Sequence, residues 1–412
     1  MPRLQFDDRA RQRRHTGVTR RDDKRSIVSP VLFCRMQRMD LPTRIALVLV
    51  VLLTAVHVAS LLLVILRGRR EAMSVPVGTP PVSIIRPVCG IDNYARETLA
   101  STFTLAYPHY EVIICAARAD DAAVPLVERL IERHPRIPAR LLIGEQRLND
   151  NPKLNNVAKG WQAAAHEWIV IADSNVEMPP DYLQQLLSRF THDTGLVCSP
   201  PLGIAPDGFA ADLECAFLNG YQARWQLNAD TLGFGFAQGK TMLMRRSDLK
   251  VAGGIAALAS ELAEDAAATK AFRRLGLRVR LTRLPFGQPL GRRNLRDLWS
   301  RQVRWARLRR ASFPLCYAAE ILTGPLLPLA GLAVLAQAFA LPLVPVLMLF
   351  AAFWYGGEAL MTRHAGWPLS WRFLPTAILR DLMLPAVWAA GWWRGRFVWR
   401  GTTMSVAAAS RS

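Results

Sequence analysis

The chain lacks the paired ligand motifs of common metal and redox sites. Its six cysteines contain no C-x-x-C pair and its seven histidines no H-x-x-x-H pair, which excludes zinc and thiol redox sites of these types. A phosphate loop is missing as well. The segment GFGFAQGKT ends in Gly239-Lys240-Thr241, but Phe234 stands where that loop needs its first glycine. An ATPase of this type is therefore excluded.

Acidic residues are scarce in this chain. Its 412 residues include 32 Asp and Glu against 52 Lys and Arg, for a net charge of +20, and 51% of all residues are hydrophobic. Such a chain is either a membrane protein with basic flanks or a binder of polyanions. Beyond the N-terminal arm the basic residues follow apolar segments and one arginine-rich stretch, which favours the membrane protein over a non-enzymatic membrane or nucleic-acid binder.

The N-terminal part combines a basic arm with a long apolar run. Residues 1–40 are arginine-rich and show no hydrophobic period, so we predict a disordered extension. Residues 45–66 contain no charged residue, and a helix of this length spans roughly 33 Å, enough to cross a bilayer. We therefore predict a transmembrane helix at 41–70. The arginines that end it predict that the next segment is cytoplasmic.

The C-terminal part, 315–400, is predicted to be a membrane region with two to three apolar segments. The candidate spans are 321–338, 341–360 and 373–393. The pair Arg380-Asp381 interrupts the third candidate. Charges are costly in lipid, so we expect this pair to face protein or the interface.

The segment between the apolar regions, 78–312, is predicted to be one soluble domain. Short apolar, β-branched runs alternate there with amphipathic segments. The predicted strands are 82–88, 110–117, 139–144, 168–172 and 241–244, and the predicted helices are 94–103, 124–134, 155–165 and 260–275. This alternation is typical of βαβ units, so we predict an α/β fold with a parallel sheet.

Three aspartates stand at places where ligands bind in such folds. Asp173 directly follows the strand at 168–172, and Asp121 follows the strand at 110–117. Open α/β sheets bind ligands outside the carboxyl ends of their strands. Asp265 lies in the first turn of the helix that we expect Ser260 to cap, and a helix N-terminus favours an ionised carboxylate.

An arginine-dense stretch, RQVRWARLRR, runs from Arg301 to Arg310. Only a shared cleft could unite it with the three distant aspartates. Carboxylates beside arginines in one cleft are typical of a diphosphate site with a divalent metal. Taken singly, each aspartate is more simply a cap or turn residue, and the arginine stretch is more simply a membrane-surface patch.

Taken together, these motifs resemble inverting nucleotide-sugar glycosyltransferases, and more narrowly ceramide glucosyltransferases. The order of three carboxylates followed by R-Q-V-R-W is similar to that family's pattern. The matching pieces are RPVCGID, YPHYEVIIC, NPKLNN, ADSN, AED and VRWARLR, between residues 82 and 310. The resemblance is close to the bacterial branch that includes hopanoid-linked sugar transferases.

The resemblance implies a GT-A (Rossmann-like) catalytic domain flanked by transmembrane helices, in a bacterial inner membrane, with the catalytic domain in the cytoplasm. It implies transfer of glucose from a UDP-sugar to ceramide with inversion. The hopanoid N-acetylglucosaminyl transferase is the alternative. A processive polysaccharide synthase is disfavoured because it usually has more membrane spans.

The resemblance also implies roles for single residues. By this likeness, Asp121 contacts the uridine, Lys153 lies near the nucleotide, Asp173 holds Mg²⁺ or Mn²⁺ on the diphosphate, and Asp265 is the general base. Arg304 and Trp305 steady the diphosphate and the acceptor, and Arg301 fills the first position of the R-x-x-R-W motif. Many relatives carry a D-x-D metal motif, whereas Asp173-Ser174-Asn175 ends in Asn175. One anionic metal ligand is therefore missing, which predicts either weak metal affinity or coordination through the amide oxygen of Asn175.

Overall fold

The computed structural model describes residues 39–69, 78–393, 396–399 and 402–405. The predicted basic extension at 1–40 lies outside these residues except for its last two positions. Within the described part, an α/β domain is preceded by one long apolar helix and followed by several more.

Eleven strands are present in the described residues. They are β1 (Val82–Val88), β2 (Tyr110–Ala116), β3 (Ala139–Ile143), β4 (Trp168–Ala172), β5 (Thr194–Cys198), β6 (Pro201–Asp207), β7 (Thr241–Arg245), β8 (Arg278–Leu281), β9 (Phe286–Arg292), β10 (Arg396–Trp399) and β11 (Thr402–Ser405). Seven strands form the central sheet in the order β3-β2-β1-β4-β7-β5-β8. All neighbours are parallel except β7, which is antiparallel to β4 and β5.

Two small sheets accompany the central one. Strands β6 and β9 pair in parallel, and β10 and β11 form an antiparallel hairpin. The strands β5, β6, β8 and β9 were not predicted, because their sequences lack a clean apolar run or contain glycine and proline.

Fourteen α-helices occur in the described residues. They are α1 (Leu41–Arg69), α2 (Ala95–Ala100), α3 (Val124–Arg133), α4 (Pro152–Ala163), α5 (Tyr182–Leu187), α6 (Phe209–Cys215), α7 (Arg224–Thr231), α8 (Arg246–Val251), α9 (Glu264–Arg274), α10 (Leu295–Ser312), α11 (Pro314–Ala319), α12 (Leu326–Ala338), α13 (Leu343–His364) and α14 (Phe373–Trp392). A π-helical segment, Ala216–Ala223, joins α6 to α7. The helix predicted at 155–165 begins three residues earlier, because Asn151 caps it and proline occupies its first position.

The central sheet has an apolar core on each face. Successive strand residues point to opposite faces, so Ile84 belongs to one core and Ile85 to the other. Helix α4 packs closely on the second face at Gly160, where an added Cβ would lie 2.7 Å from both the Cys115 Sγ and the Ile85 Cγ2. The absence of a side chain at Gly160 therefore allows the C-terminal half of α4 to lie close to the sheet.

Among the residues that the structure describes, three helices are long and apolar enough to cross a membrane: α1, α13 and α14. The predicted span at 45–66 lies inside α1. Arg380 and Asp381 are buried in protein and pair with each other at 2.9 Å, as expected for charges in an apolar helix. In this described part, a fourth crossing would require that the segments Pro314–Thr323 and Leu326–Ala338, bent by 47°, form one span.

Two predicted helices differ from the structure. The span predicted at 321–338 is broken, because Gly324 is extended (φ −96°, ψ 171°) and Pro325 precedes α12. The helix predicted from Ser260 begins at Glu264. Ser260 does not cap it, since its hydroxyl donates to the carbonyl of Ala257 instead.

Candidate functional site

Asp173 lies at the carboxyl edge of the central sheet beside Lys240. Strands β4 and β7 are antiparallel and pair Ala172 with Thr241. The residue after β4 therefore faces the residue before β7, and the Asp173 N–H donates to the Lys240 carbonyl at 3.0 Å. The Lys240 Nζ lies 3.0 Å from the Asp173 Oδ2 and 3.2 Å from the Asn175 Oδ1. Two oxygens of the A-D-S-N motif thus converge on one ammonium group.

Lys153 links Asp173 to the start of α9. The Asn151 side chain caps α4 and holds Lys153 in its first turn. The Lys153 Nζ lies 2.7 Å from the Asp173 Oδ1 and 2.6 Å from the Glu264 Oε1, and it donates to the Gly239 carbonyl at 2.5 Å. One ammonium group therefore joins three segments that are far apart in the chain.

The lysines control the charge of Asp173. Burial raises the pKa of this carboxyl, but the charges of Lys153 and Lys240 outweigh burial and lower the pKa to about 2. Burial likewise lowers the pKa of Lys153, and the carboxylates of Asp173 and Glu264 more than reverse that effect, so the pKa is raised. Asp173 and Lys153 are therefore both charged at neutral pH.

Asp265 has a different environment from Asp173. Its Oδ2 accepts from the Gly239 N–H at 2.9 Å and its Oδ1 from the Ala266 N–H at 2.8 Å. Burial and the neighbouring Glu264 carboxylate raise its pKa to about 6, although Lys153 and these backbone donors act in the opposite direction. A carboxyl group with a pKa close to neutral is matched to accepting a proton.

All eight residues predicted for the site line one cavity of about 1550 Å³. They are Asp121, Lys153, Asp173, Asn175, Asp265, Arg301, Arg304 and Trp305. The tertiary structure thus gathers side chains that lie up to 184 positions apart in the sequence, and it leaves room for a ligand between them. Their individual roles remain predictions.

Asp121 connects two loops through hydrogen bonds to backbone N–H groups. Its carboxylate accepts from the Gly90 N–H at 2.9 and 3.0 Å and from the Ala123 N–H at 2.8 Å. It therefore holds the loop after β1 against the loop after β2. Both loops border the cavity.

The arginine-rich stretch lies within α10 and borders the same cavity as Asp173. Arg301 lies 3.0 Å from Glu214, and Arg293 lies 3.3 Å from the same carboxylate, which is fully buried. Trp305 packs against a small apolar cluster that includes Leu218 and Leu290. These contacts orient α10 so that Arg304 and Trp305 line the cavity.

Several residues at this site were not among those predicted from the sequence. Lys240 was set aside with the false phosphate loop, and strand β7 begins at Thr241, where a phosphate loop would lead into a helix. Gly239 is at a close approach, since a Cβ there would lie 2.8 Å from the Glu264 Oε1 and 3.2 Å from the Lys153 Nζ. Glu264 and Asn151 also belong to the site. The motifs AED and NPKLNN contained them, but only the fold shows that their side chains meet at 2.7 Å.

The sheet, the charged cavity and the apolar helices together are those of an α/β enzyme with helices long and apolar enough to cross a membrane. The model of the family named glycosyl transferase family 21 matches residues 47–411. The chain belongs to this family and is a glycosyltransferase. The predicted fold class, an α/β GT-A domain flanked by apolar helices, is confirmed at the level of the sheet and of these helices.

Curated relatives of the chain carry names from the same family. The chain is similar to ceramide glucosyltransferase 3 of Caenorhabditis elegans, at 27% identity over 80% of this chain and 73% of that protein. Ceramide glucosyltransferase 1 of the same organism is 31% identical over 57% and 51% of the two chains. Ceramide glucosyltransferase of Komagataella phaffii is 30% identical over 59% of each. The matched part thus spans between half and three quarters of these relatives.

Solved structures also overlap with this chain. A mannosyltransferase from Pyrobaculum calidifontis, in complex with GDP-Man and Mn²⁺, covers 81% of this chain and 98% of its own, with 20% identity and a TM-score of 0.48. Glucosyl-3-phosphoglycerate synthase from Mycobacterium tuberculosis, with Mn²⁺ and UDP, covers 66% and 87%, with 15% identity and a TM-score of 0.35.

Proposed function

We propose that this glycosyltransferase moves glucose from UDP-glucose to the hydroxyl group of ceramide, with inversion at the anomeric carbon. The observation that carries the proposal is the contrast between two carboxylates at one cavity. Asp173 is held ionised between two lysines, whereas Asp265 has a pKa of about 6. An inverting displacement needs such a division, with one group on the leaving diphosphate and one base on the acceptor.

Asp265 is the proposed general base. Its carboxylate accepts the proton of the acceptor hydroxyl while the hydroxyl oxygen attacks the anomeric carbon. The bond from that carbon to the diphosphate breaks, and UDP leaves with the electron pair. Because the attacking oxygen and the leaving group lie on opposite faces of the sugar, the configuration is inverted. The backbone donors from Gly239 and Ala266 hold the carboxylate in place during the transfer.

The donor diphosphate is proposed to bind near Asp173. Lys153, Lys240 and Arg304 line the same cavity and supply positive charge for the diphosphate. Asp121 is proposed to contact the uridine, at the end of the cavity formed by the loops after β1 and β2. Trp305 and Arg301 are proposed to shape the side of the cavity where the acceptor enters.

The oxygen donors at Asp173 fit a divalent cation that a diphosphate brings with it. The Asp173 Oδ2 and the Asn175 Oδ1 converge on the point now held by the Lys240 ammonium, and Mg²⁺ is usually held by one or two carboxylates together with substrate phosphates. Among the residues that the structure describes, no group of three or more His, Cys, Asp or Glu side chains could hold a metal alone. Bound there, Mg²⁺ or Mn²⁺ would offset the negative charge of the diphosphate.

The apolar helices support a lipid acceptor. Helices long and apolar enough to cross a membrane stand on both sides of the catalytic domain in the sequence, and the cavity extends from Asp173 to residues of α11 such as Cys316 and Ala319. The relatives named above are ceramide glucosyltransferases. The hopanoid alternative gains no specific support from them. We place the catalytic domain at the cytoplasmic face of a bacterial inner membrane.

The test is UDP release by the purified protein in detergent micelles. UDP-glucose with ceramide is expected to give UDP and a glucosylated lipid in equal amounts, identified by mass spectrometry. UDP-glucose without an acceptor controls for hydrolysis, and hopanoid acceptors with UDP-N-acetylglucosamine test the alternative. Release that is the same with and without ceramide would contradict the proposal, as would its absence with ceramide.

A further inference from the structure

We propose that a second, smaller cavity binds one hydrocarbon chain of the lipid acceptor. This cavity, which we call the apolar slot, has a volume of about 230 Å³. Its apolar wall is formed by Ile321, Leu326, Leu327, Leu384, Val387 and Trp388. The proposal rests on the proposed function, because it assigns part of the same acceptor to this place.

The apolar slot lies where a membrane-type helix is broken. Segments Pro314–Thr323 and Leu326–Ala338 meet there at an angle of 47°, and Gly324 at the break is extended. Helix α14 forms the opposite wall and contains Pro385 at this level. A continuous helix would place side chains along this face, whereas the break leaves a space between the two elements.

The wall shared with the large cavity is polar. Tyr221, Arg309 and Glu320 line both cavities. Arg309 donates to the two oxygens of Glu320 at 2.7 and 2.9 Å, and the Tyr221 hydroxyl donates to the same carboxylate at 2.9 Å. These groups satisfy one another, so they can border an apolar ligand without an unpaired charge.

The walls of the two cavities change from charged to polar to apolar, and this order indicates that the ligand is a lipid. From the general base outward, the cavity passes from carboxylates and lysines to the satisfied polar wall and then to apolar side chains of helices suited to a membrane. A lipid has the same order, with a reacting hydroxyl, polar linking atoms and a hydrocarbon chain. Asp381, which also lines the slot, is paired with Arg380 at 2.9 Å and offers no free charge to a soluble cationic ligand.

The first test fills the apolar slot from its wall. A Cβ added at Gly324 would meet no atom within 4 Å, and the residue is not in the left-handed region. Gly324→Leu is expected to lower kcat/KM for a long-chain ceramide relative to a six-carbon ceramide by about tenfold, since a methylene misfit in an apolar pocket discriminates by roughly 10- to 200-fold. Gly356→Leu is the matched control. It also adds a side chain in open space, on the exposed face of α13, and is expected to leave the ratio unchanged.

The second test needs no variant. A ceramide with a diazirine at the end of its acyl chain is cross-linked to the wild-type protein, and the labelled peptides are identified by mass spectrometry. Labelling of Leu326, Leu327 or Leu384 is expected. Labelling confined to other helices, or an unchanged long-to-short ratio in Gly324→Leu, would overturn the proposal. Wild-type protein that glucosylates neither ceramide would instead refute the proposed function.

Discussion

Two buried clusters of charged side chains in this protein contain similar ion pairs but have different roles. The site cluster lies at the carboxyl edge of the sheet and comprises Lys153, Asp173, Lys240, Glu264 and Asp265. The helix cluster lies between the apolar helices and the π-helical region and comprises Arg224, Glu358, Arg380 and Asp381. Both bring together residues that are distant in sequence.

The helix cluster pairs each of its charges. Glu358 is fully buried and lies 2.9 Å from the Arg224 Nη1 and 3.0 Å from the Arg380 Nη2, while Arg380 also pairs with Asp381. Each carboxylate therefore has an arginine within contact distance. Such a cluster fixes the positions of α7, α13 and α14 relative to one another.

The site cluster leaves one carboxylate without a cationic partner. Within the described residues, Lys153 pairs with Asp173 and Glu264 and Lys240 pairs with Asp173, whereas Asp265 forms no ion pair and accepts from backbone N–H groups. The comparison indicates that buried charges with complete pairing connect secondary-structure elements, and that removing one partner is costly. Burial with incomplete pairing next to a cavity leaves a group ready to take a proton.

The largest effect is expected from Asp265→Asn. The variant keeps the size of the side chain but removes the base, so turnover should fall by roughly 10²- to 10⁴-fold. Isothermal titration should show UDP-sugar affinity close to that of the wild type. Asp207→Asn is the control, because that exposed aspartate lies at the end of β6 and pairs only loosely with Arg292, at 3.5 Å. Wild-type turnover in Asp265→Asn would assign the base to another residue.

The next largest effect is expected in the helix cluster. Glu358→Gln leaves two buried arginines without their shared carboxylate, which should cost about 3–5 kcal/mol of stability. Thermal unfolding in detergent micelles measures this loss. The UDP-sugar affinity of the folded fraction should stay near normal, since Glu358 does not border the large cavity. Loss of donor affinity without loss of stability would break the distinction between the two clusters.

Asp173→Ala tests the paired half of the site cluster. Removing this carboxylate frees both lysines from their positions, and donor affinity should fall by about 10- to 100-fold, as expected for 1.5–3 kcal/mol per charged hydrogen bond. The dissociation constant of the UDP-sugar is measured at saturating Mg²⁺, with Asp207→Ala as the control. An unchanged constant would remove the role assigned to Asp173.

The smallest effect concerns pH. Asp265 must be ionised to accept a proton, so with a pKa of about 6 the rate should fall as the pH drops through 6. Glu264→Gln removes the neighbouring negative charge, which makes ionisation easier, and the acid limb of kcat/KM should move to lower pH. The shift is partial because burial, the larger cause, remains. A limb that stays in place would show that Glu264 does not act on the titrating group.

Much of the fold could be predicted from local sequence. The apolar runs 82–88, 110–117 and 168–172 form β1, β2 and β4, and the uncharged run 45–66 lies within α1. Segments whose side chains avoid water are apolar over their length, so the sequence alone indicates them. The helix expected from Ser260 was wrong at its start, and the span at 321–338 was broken. Capping and the effect of one proline depend on neighbours that a hydrophobic pattern does not contain.

The features of the candidate site likewise fall into those that the sequence determined and those that depend on the tertiary structure. The sequence alone determined where the aspartates stand, at strand ends and in a helix's first turn, and that an arginine-tryptophan stretch precedes the apolar helices. Only the tertiary structure decided that Lys240 pairs with Asp173, that Lys153 joins Asp173 to Glu264, and that Asp265 is left unpaired. The physical reason is that these contacts depend on the order of strands in the sheet, above all on the antiparallel insertion of β7 beside β4. That order is the result of packing across the whole domain rather than of any local pattern.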